Sequence, residues 1–138
     1  MPSPQPIAIA ITLAKPGGAT SFVFQFAQWL HARGEAVVVL MGEEGDWLET
    51  HCREAHIPYR RVPHLRRAIH PVHDLLALRA FREVLRDIRP RAIHLNSSKA
   101  GVIGSLAARS LSLTPIVYCI AGWAVLDSSS WWQRFAYF

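Results

Sequence analysis

The stretch Ile7-Ala-Ile-Ala-Ile-Thr-Leu13, running through Ala14 into Lys15-Pro-Gly-Gly18, decides how the rest of the chain reads. Its residues are apolar at successive positions and largely β-branched, the pattern of a strand buried on both faces of a parallel sheet. From Ala19 the pattern becomes helical: Phe22, Val23, Phe26, Trp29 and Leu30 recur at three- and four-residue spacing, and Gly34 supplies the stop. Strand, glycine turn and helix form one unit.

The unit recurs along the chain. Ala36 to Met41 reads as a second strand, Asp46 as the cap of a helix to about Ala55, and Ile57 to Val62 as a third strand. Pro63 to His70 reads as a loop. Pro71 suits the first turn of a long helix to Ile88, with Leu78, Phe81, Leu85 and Ile88 on its core side and Arg79, Arg82, Arg86 and Arg89 beside them. Pro90 closes that helix, Ala92 to Leu95 is a fourth strand, Ser97 or Ser98 caps a helix to about Leu111, and Pro115 to Ile120 is a fifth strand. Alternation of this kind predicts an α/β fold, a doubly wound parallel sheet (Rossmann-like), with its ligand crevice at the C-terminal strand ends. Residues 1–138 read as a single domain without internal repeats. Ser128 to Phe138 starts like a capped amphipathic helix and stops without a closing signal, so the expectation is a first part of a larger protein or an end covered by a partner.

Composition narrows the function classes. With 138 residues, 51% hydrophobic and 18% charged, the chain can bury a core without disulfides, and disorder is excluded. No apolar run approaches the roughly 20 residues of a membrane span. The first basic residue is Lys15, which reads as the start of a cytoplasmic protein, and Cys52 and Cys119 read as packing thiols of a reduced compartment. The net charge of +5 is concentrated: residues 53–91 hold ten Arg against four acidic residues. Such a zone suits a phosphorylated ligand or an anionic membrane face as well as a solvated helix. Nucleic acid is disfavoured, because the Arg stripe has no interleaved aromatics or reading motif.

Three strand-end segments carry the candidate chemistry. Gly17 and Gly18 let backbone N–H groups and a helix N-terminus meet an anion, or serve only a tight turn. They form neither a dinucleotide fingerprint nor a Walker loop. Asn96, Ser97, Ser98 and Lys99 gather an amide, hydroxyls and an ammonium at another helix start, which suits a polar or phosphorylated ligand or plain capping. Arg66 and Arg67 after the third strand, and Ala121, Gly122 and Trp123 after the fifth, complete the set. His70 and His73 have ligand spacing but no carboxylate or Cys partners, so no metal site is expected, and no serine-hydrolase elbow occurs. A flavodoxin-like nucleotide module remains compatible with the strand and helix pattern alone.

With these residues on view, the chain resembles the N-terminal domain of family-four retaining glycosyltransferases of the GT-B fold. The resemblance covers nearly the whole chain, through Lys15 to Ala19, Trp29 to Gly34 and Ala55 to Pro58. Its most specific stretches are Ile93-His-Leu-Asn-Ser-Ser-Lys-Ala-Gly101 continuing into Gly104 to Arg109, and Thr114 to Tyr118 with Ala121-Gly-Trp123. These look like members that build bacterial surface polysaccharides on polyprenyl-diphosphate lipids. The resemblance implies an enzyme moving a sugar from a nucleotide-diphosphate sugar, as substrate and without a cofactor, to a lipid-linked or polysaccharide acceptor. It maps donor phosphates to Gly17 and Gly18, and the acceptor to Arg66, Arg67, Asn96, Ser97, Ser98, Lys99 and Ala121 to Trp123. It also implies an absent C-terminal donor domain, so the chain alone is expected to be inactive; a non-catalytic half of a split enzyme is the alternative. One departure stands out: members commonly place His where this chain has Ala121. The Arg stripe, and Phe24 with it, fit a peripheral position on the inner face of the plasma membrane.

Overall fold

A strand that is apolar on both faces needs helices on both sides, and the observed layers follow from that requirement. The computed structural model describes residues 4–113 and 115–119. The elements are β1 (Ile7–Leu13), α1 (Gly18–Ala32), β2 (Val37–Glu44), α2 (Trp47–Glu54), β3 (Tyr59–Arg61), α3 (Pro71–Ile88), β4 (Ala92–Asn96), α4 (Ser98–Ser110) and β5 (Ile116–Cys119). The strands form one parallel sheet in the order β3-β2-β1-β4-β5, with Ile9 opposite Val39 on one side and His94 on the other. The chain therefore reverses its winding between β1 and β4, where a doubly wound sheet opens its crevice.

Alternation along the strands sorts the core into two layers. Ala8, Ala10, Val38, Leu40, Ile93 and Leu95 face α3 and α4, where Phe81, Leu85, Ile103 and Ala107 meet them. Ile9, Ile11, Val37, Val39 and Met41 face α1 and α2, against Val23, Ala27, Leu48 and Cys52. Burial pushes the Cys52 thiol up to about 11, so it packs as a small apolar group. α4 comes close to the sheet because Gly101 and Gly104 carry no Cβ: one would meet the Tyr118 ring at 2.3 Å and the other Leu95 at 2.5 Å. Pro71 starts α3, and Arg89 ends it in the left-handed region, its N–H donating to the Leu85 carbonyl at 2.9 Å.

Several local expectations are corrected. The sheet-facing side of α1 is Thr20, Val23, Ala27 and Leu30; Phe22 and Trp29 stand about half exposed. Small Thr20 and Ala27 let the helix lie close to the sheet, which moves the bulky rings to its flanks. Phe22 and Phe26 stack beside His94 of β4, with ring centroids 6.2 and 5.1 Å from the imidazole. On α3 Phe81 and Leu85 are buried and Leu78 and Ile88 pack against the core partly buried, as expected, and Ala77 and Val84 join the buried set. β3 is shorter than expected and β2 longer, running on to Glu44. Phe24 packs edge-on against Trp47 and His51 of α2, on the opposite side of the sheet from the Arg stripe.

Two substitutions test this packing. At Gly42 of β2 an added Cβ would lie 2.3 Å from the Thr12 carbonyl oxygen and 2.4 Å from that of Leu65, both backbone atoms. Gly42→Ala is expected to lower stability by about 1–3 kcal/mol in urea unfolding. Burial holds the His94 imidazole below its ordinary 6.5, and the Asn96 amide donates to its Nδ1 at 3.1 Å. The unfolded chain thus binds that proton more tightly, so stability is full above about 6.5 and declines as pH falls from there through the folded value. His94→Leu is expected to flatten the pH dependence of unfolding in that window.

Candidate functional site

The loops after β1, β2, β3 and β4 converge at one end of the sheet, and a buried hydroxyl holds the junction. Ser97 stands at the N-cap position of α4 with φ 77° and ψ 155°, a region nearly reserved for glycine, and makes no side-chain cap. Its Oγ instead lies 2.7 Å from Thr12 Oγ1 and accepts from the Thr12 N–H at 3.3 Å. Thr12 supplies the missing cap from β1: its Oγ1 accepts from the Ala100 N–H at 3.1 Å. Neither Ser97 nor Ser98 caps α4 through its side chain, contrary to expectation. Asn96 is buried too, its amide donating to the Ala10 carbonyl at 3.2 Å, so it joins β4 to β1 instead of facing the crevice.

Above this junction lies a cavity of about 980 Å³ with two unlike ends. Lys15, Glu44, Arg67, Asp74, Ser98 and Lys99 form the polar end, at the strand termini. Leu75, Leu78, Val102, Ile103 and Leu106 form an apolar groove between α3 and α4, joined by Leu13 and Ile69. The Lys99 side chain is 13% exposed and its Nζ donates to Asp74 Oδ1 at 2.6 Å and to the Ala68 carbonyl. That ammonium is already neutralised. Among the described residues Lys15 and Arg67 have no carboxylate within ion-pair distance, which leaves their charge for a ligand.

The loop after β3 is held by the end of β2. Glu43 accepts from the His64 N–H at 2.8 Å and from Arg66 Nε at 2.7 Å, and these bonds hold its carboxyl below the usual range. Arg66 therefore tethers the loop and does not line the cavity, while the Arg67 N–H reaches Glu44 at 3.3 Å. Gly17 and Gly18 open α1 on the neighbouring rim. Gly17 has φ 170° and ψ 171°, no side chain caps the helix, no acidic residue lies in its first turn, and a Cβ at either glycine meets nothing within 4 Å. The first-turn N–H groups thus have no side-chain acceptor, and the helix dipole there favours an anion. Ala121, Gly122 and Trp123 lie outside the described residues.

The structure thus brings Arg67, Ser98 and Lys99 into one cavity, with Gly17 and Gly18 beside it, and gives Arg66, Asn96 and Ser97 supporting roles. Sequence reasoning missed Thr12, Glu44, Asp74 and the aliphatic groove as site residues. A second concavity, of about 570 Å³ and including Pro6, His31 and Tyr59, lies by the opposite strand ends and gathers none of the candidates. Among the described residues no group of three potential ligands could hold a metal, and no helix is long and apolar enough to cross a membrane.

Residues 17–138 match the pattern of the glycosyl transferase 4-like domain. The chain belongs to that family. The domain has the α/β, Rossmann-like fold of the N-terminal domain of GT-B glycosyltransferases. It superposes on Anabaena Alr3699/HepE, solved with UDP-glucose, with TM-score 0.71 at 20% identity over 95% of this chain and 33% of the other. Acinetobacter baumannii MurG gives 0.67 at 19% identity, over 88% and 38%. The Neisseria meningitidis UDP-GlcNAc 2-epimerase bound to UDP-GlcNAc gives 0.55 at 14%, over 84% and 32%. The chain spans about a third of the length of these structures. No curated protein matches its sequence significantly.

Replacing the Thr12 hydroxyl by a methyl, Thr12→Val, is expected to cost about 1–2 kcal/mol by analogy with the loss of an N-cap. Amide exchange checks the cause: it should accelerate in the first turn of α4, at Ala100 above all.

Proposed function

We propose that this domain is the acceptor-binding part of a retaining glycosyltransferase that moves a sugar from a nucleotide-diphosphate sugar to a lipid-linked acceptor at the inner face of the membrane. The observation that carries this reading is the two-ended cavity: cations at the strand ends lead into an aliphatic groove. A free polysaccharide has no use for Leu75, Val102 and Leu106, whereas a prenyl or acyl chain with a phosphorylated head matches both ends. Lys15, Arg67 and Ser98 would meet the head, with Lys99 held in place by Asp74.

In the reaction the bond between the anomeric carbon and the nucleotide diphosphate breaks and a bond to an acceptor hydroxyl oxygen forms. The hydroxyl proton leaves with the departing diphosphate, and the configuration at carbon is kept. The free N–H groups at Gly17 and Gly18 stabilise the charge growing on that leaving group, where one well-placed donor is worth about 3 kcal/mol. Ala121 offers no imidazole to share this task. A donor-binding domain supplies the remaining contacts, so the chain alone lacks the binding energy that catalysis draws on.

The test is transfer of radiolabel from a panel of nucleotide sugars to membrane lipid, comparing this chain with a form extended by whatever the genome encodes after Phe138. Transfer by the extended form only is expected, falling at least about 10-fold in Lys15→Ala with Arg67→Ala, as loss of charged contacts implies. Gly17→Ala, which has room in the fold, should slow transfer without changing the unfolding midpoint. Interconversion of free nucleotide sugars with no lipid product would replace this reading by an epimerase.

A further inference from the structure

We propose that His70 is a proton-sensitive latch beside the cavity, holding the loop after β3 to the first turn of α3 only while its imidazole is neutral. His70 is the N-cap residue of α3, with extended backbone at φ −148° and ψ 116°, and its Nδ1 accepts from the His73 N–H at 3.2 Å. Ser, Thr, Asp or Asn ordinarily supplies such a cap, through an oxygen that accepts throughout the neutral pH range. An imidazole nitrogen accepts only through its lone pair, and a second proton turns Nδ1 into a donor. The cap therefore exists in one charge state of His70 and is lost in the other.

The surroundings make the charged state costly. The His73 ring lies 4.6 Å from that of His70, centroid to centroid, and the His64 ring lies 5.9 Å from His73, so three imidazoles gather at the start of α3. His73 Nδ1 is buried and, among the described residues, has no hydrogen-bond partner. The carboxylates on the neighbouring elements are already engaged: Asp74 of α3 with Lys99 of α4, Glu43 of β2 with Arg66, and Glu44 with the Arg67 N–H. The other charges of this end of the cavity, Lys15 and the Arg67 guanidinium, are positive, and the positive end of the α3 dipole adds to them.

What the cap holds is a wall of the cavity. The His70 N–H donates to Asp74 Oδ2 at 3.3 Å, the Asp74 N–H donates to the His70 carbonyl at 2.8 Å, and Lys99 bridges Asp74 and the Ala68 carbonyl. Arg67, Ala68, Ile69, Asp74 and Leu75 line the cavity on either side of the cap. Loss of the cap frays the first turn of α3 and loosens the anchor that Lys99 and the loop share. Linkage sets the direction. The latched form binds the proton less tightly than the released form, so latching is complete at high pH and is lost on acidification, within the range of about pH 8 to 5 where imidazoles change charge. That the latch governs entry of an acceptor rests on the proposed transferase reading; the latch itself does not.

The latch is read by amide exchange in NMR over about pH 8 to 5, expressed as protection relative to an unstructured peptide at the same pH. Protection at His73, Asp74 and Leu75 is expected to fall about 5-fold on acidification, the equivalent of a cap worth about 1 kcal/mol. His70→Asn keeps a capping oxygen and removes the titrating group, so it should hold that protection constant across the range. His94, which packs against Phe26 of α1 on the other face of the sheet, is present in both proteins, so the comparison isolates His70. Protection in the native chain that is independent of pH, that rises on acidification, or that falls equally in His70→Asn would each overturn the proposal. In the extended enzyme, the KM for a lipid acceptor should vary with pH over the same range and lose that variation in His70→Asn. A pH-dependent latch with no transfer at any pH would sink the transferase reading and leave the latch intact.

Discussion

The Thr12 hydroxyl is where the architecture of the crevice is decided. It lies on β1, accepts from the Ala100 N–H of α4 and bonds to Ser97, residues 85 and 88 positions away in sequence. Ser97 occupies a backbone region costing about 1–3 kcal/mol, and a typical hydrogen bond returns about 0.5–1.5 kcal/mol net. One bond could not hold that conformation comfortably; the Thr12 N–H, the Thr12 hydroxyl and the packing of Gly101 and Gly104 act together. Gly42 adds the other side, letting the Thr12 and Leu65 carbonyls approach the end of β2. The ends of β1 and β4 are thereby fixed about the Thr12 side chain, and the end of β2 is packed against the backbone of Thr12 and of the loop after β3.

Around this rigid junction the rim is made of charge. Glu43 fixes His64 and Arg66, Glu44 fixes the Arg67 N–H, and Asp74 with Ala68 fixes Lys99. Arg61 ties the β2–α2 connection in the same way, through the Gly42 and Gly45 carbonyls and Glu49, whose carboxyl it holds below the usual range. Most of these contacts are partly exposed, so each contributes little to global stability and is screened by salt. Their effect is local: they select which cations stay available. Of the cavity cations, Asp74 neutralises Lys99, and among the described residues Lys15 and Arg67 are left unpaired.

What could be read from the sequence follows from the range of each interaction. Strand and helix alternation, Pro71 at the start of α3 and the need for glycine at positions 101 and 104 are local or periodic signals, and the fold with its switch point follows from them. The site was legible only where a residue faces the crevice by virtue of its strand end, as with Ser98, Lys99 and Arg67. The cap of α4 was not, because the nearest hydroxyls, Ser97 and Ser98, are the natural candidates and nothing local says that Thr12 takes their place. The face of α1 was misjudged for a different reason. Hydrophobicity singles out Phe22 and Trp29, while close approach to a sheet selects Thr20 and Ala27 by size.

The distribution of groups also bears on why one Rossmann-like unit would bind without catalysing. On the proposed reading, the acceptor half holds its ligand by an apolar groove and two unpaired cations, contacts that act alike in ground and transition states. Such uniform binding lowers the concentration of acceptor required and leaves the barrier unchanged. The groups able to answer charge that appears only as the diphosphate departs are the uncapped N–H groups at the start of α1, one helix turn on the rim beside the cavity. They become useful when a donor is held against them from the other side, bringing the anomeric carbon to the acceptor hydroxyl, and alignment of that kind accounts for much of what an enzyme contributes. A crevice with free N–H groups on one rim and a lipid-compatible groove beside it therefore describes half of a reaction geometry, with the donor as the part that has to be supplied.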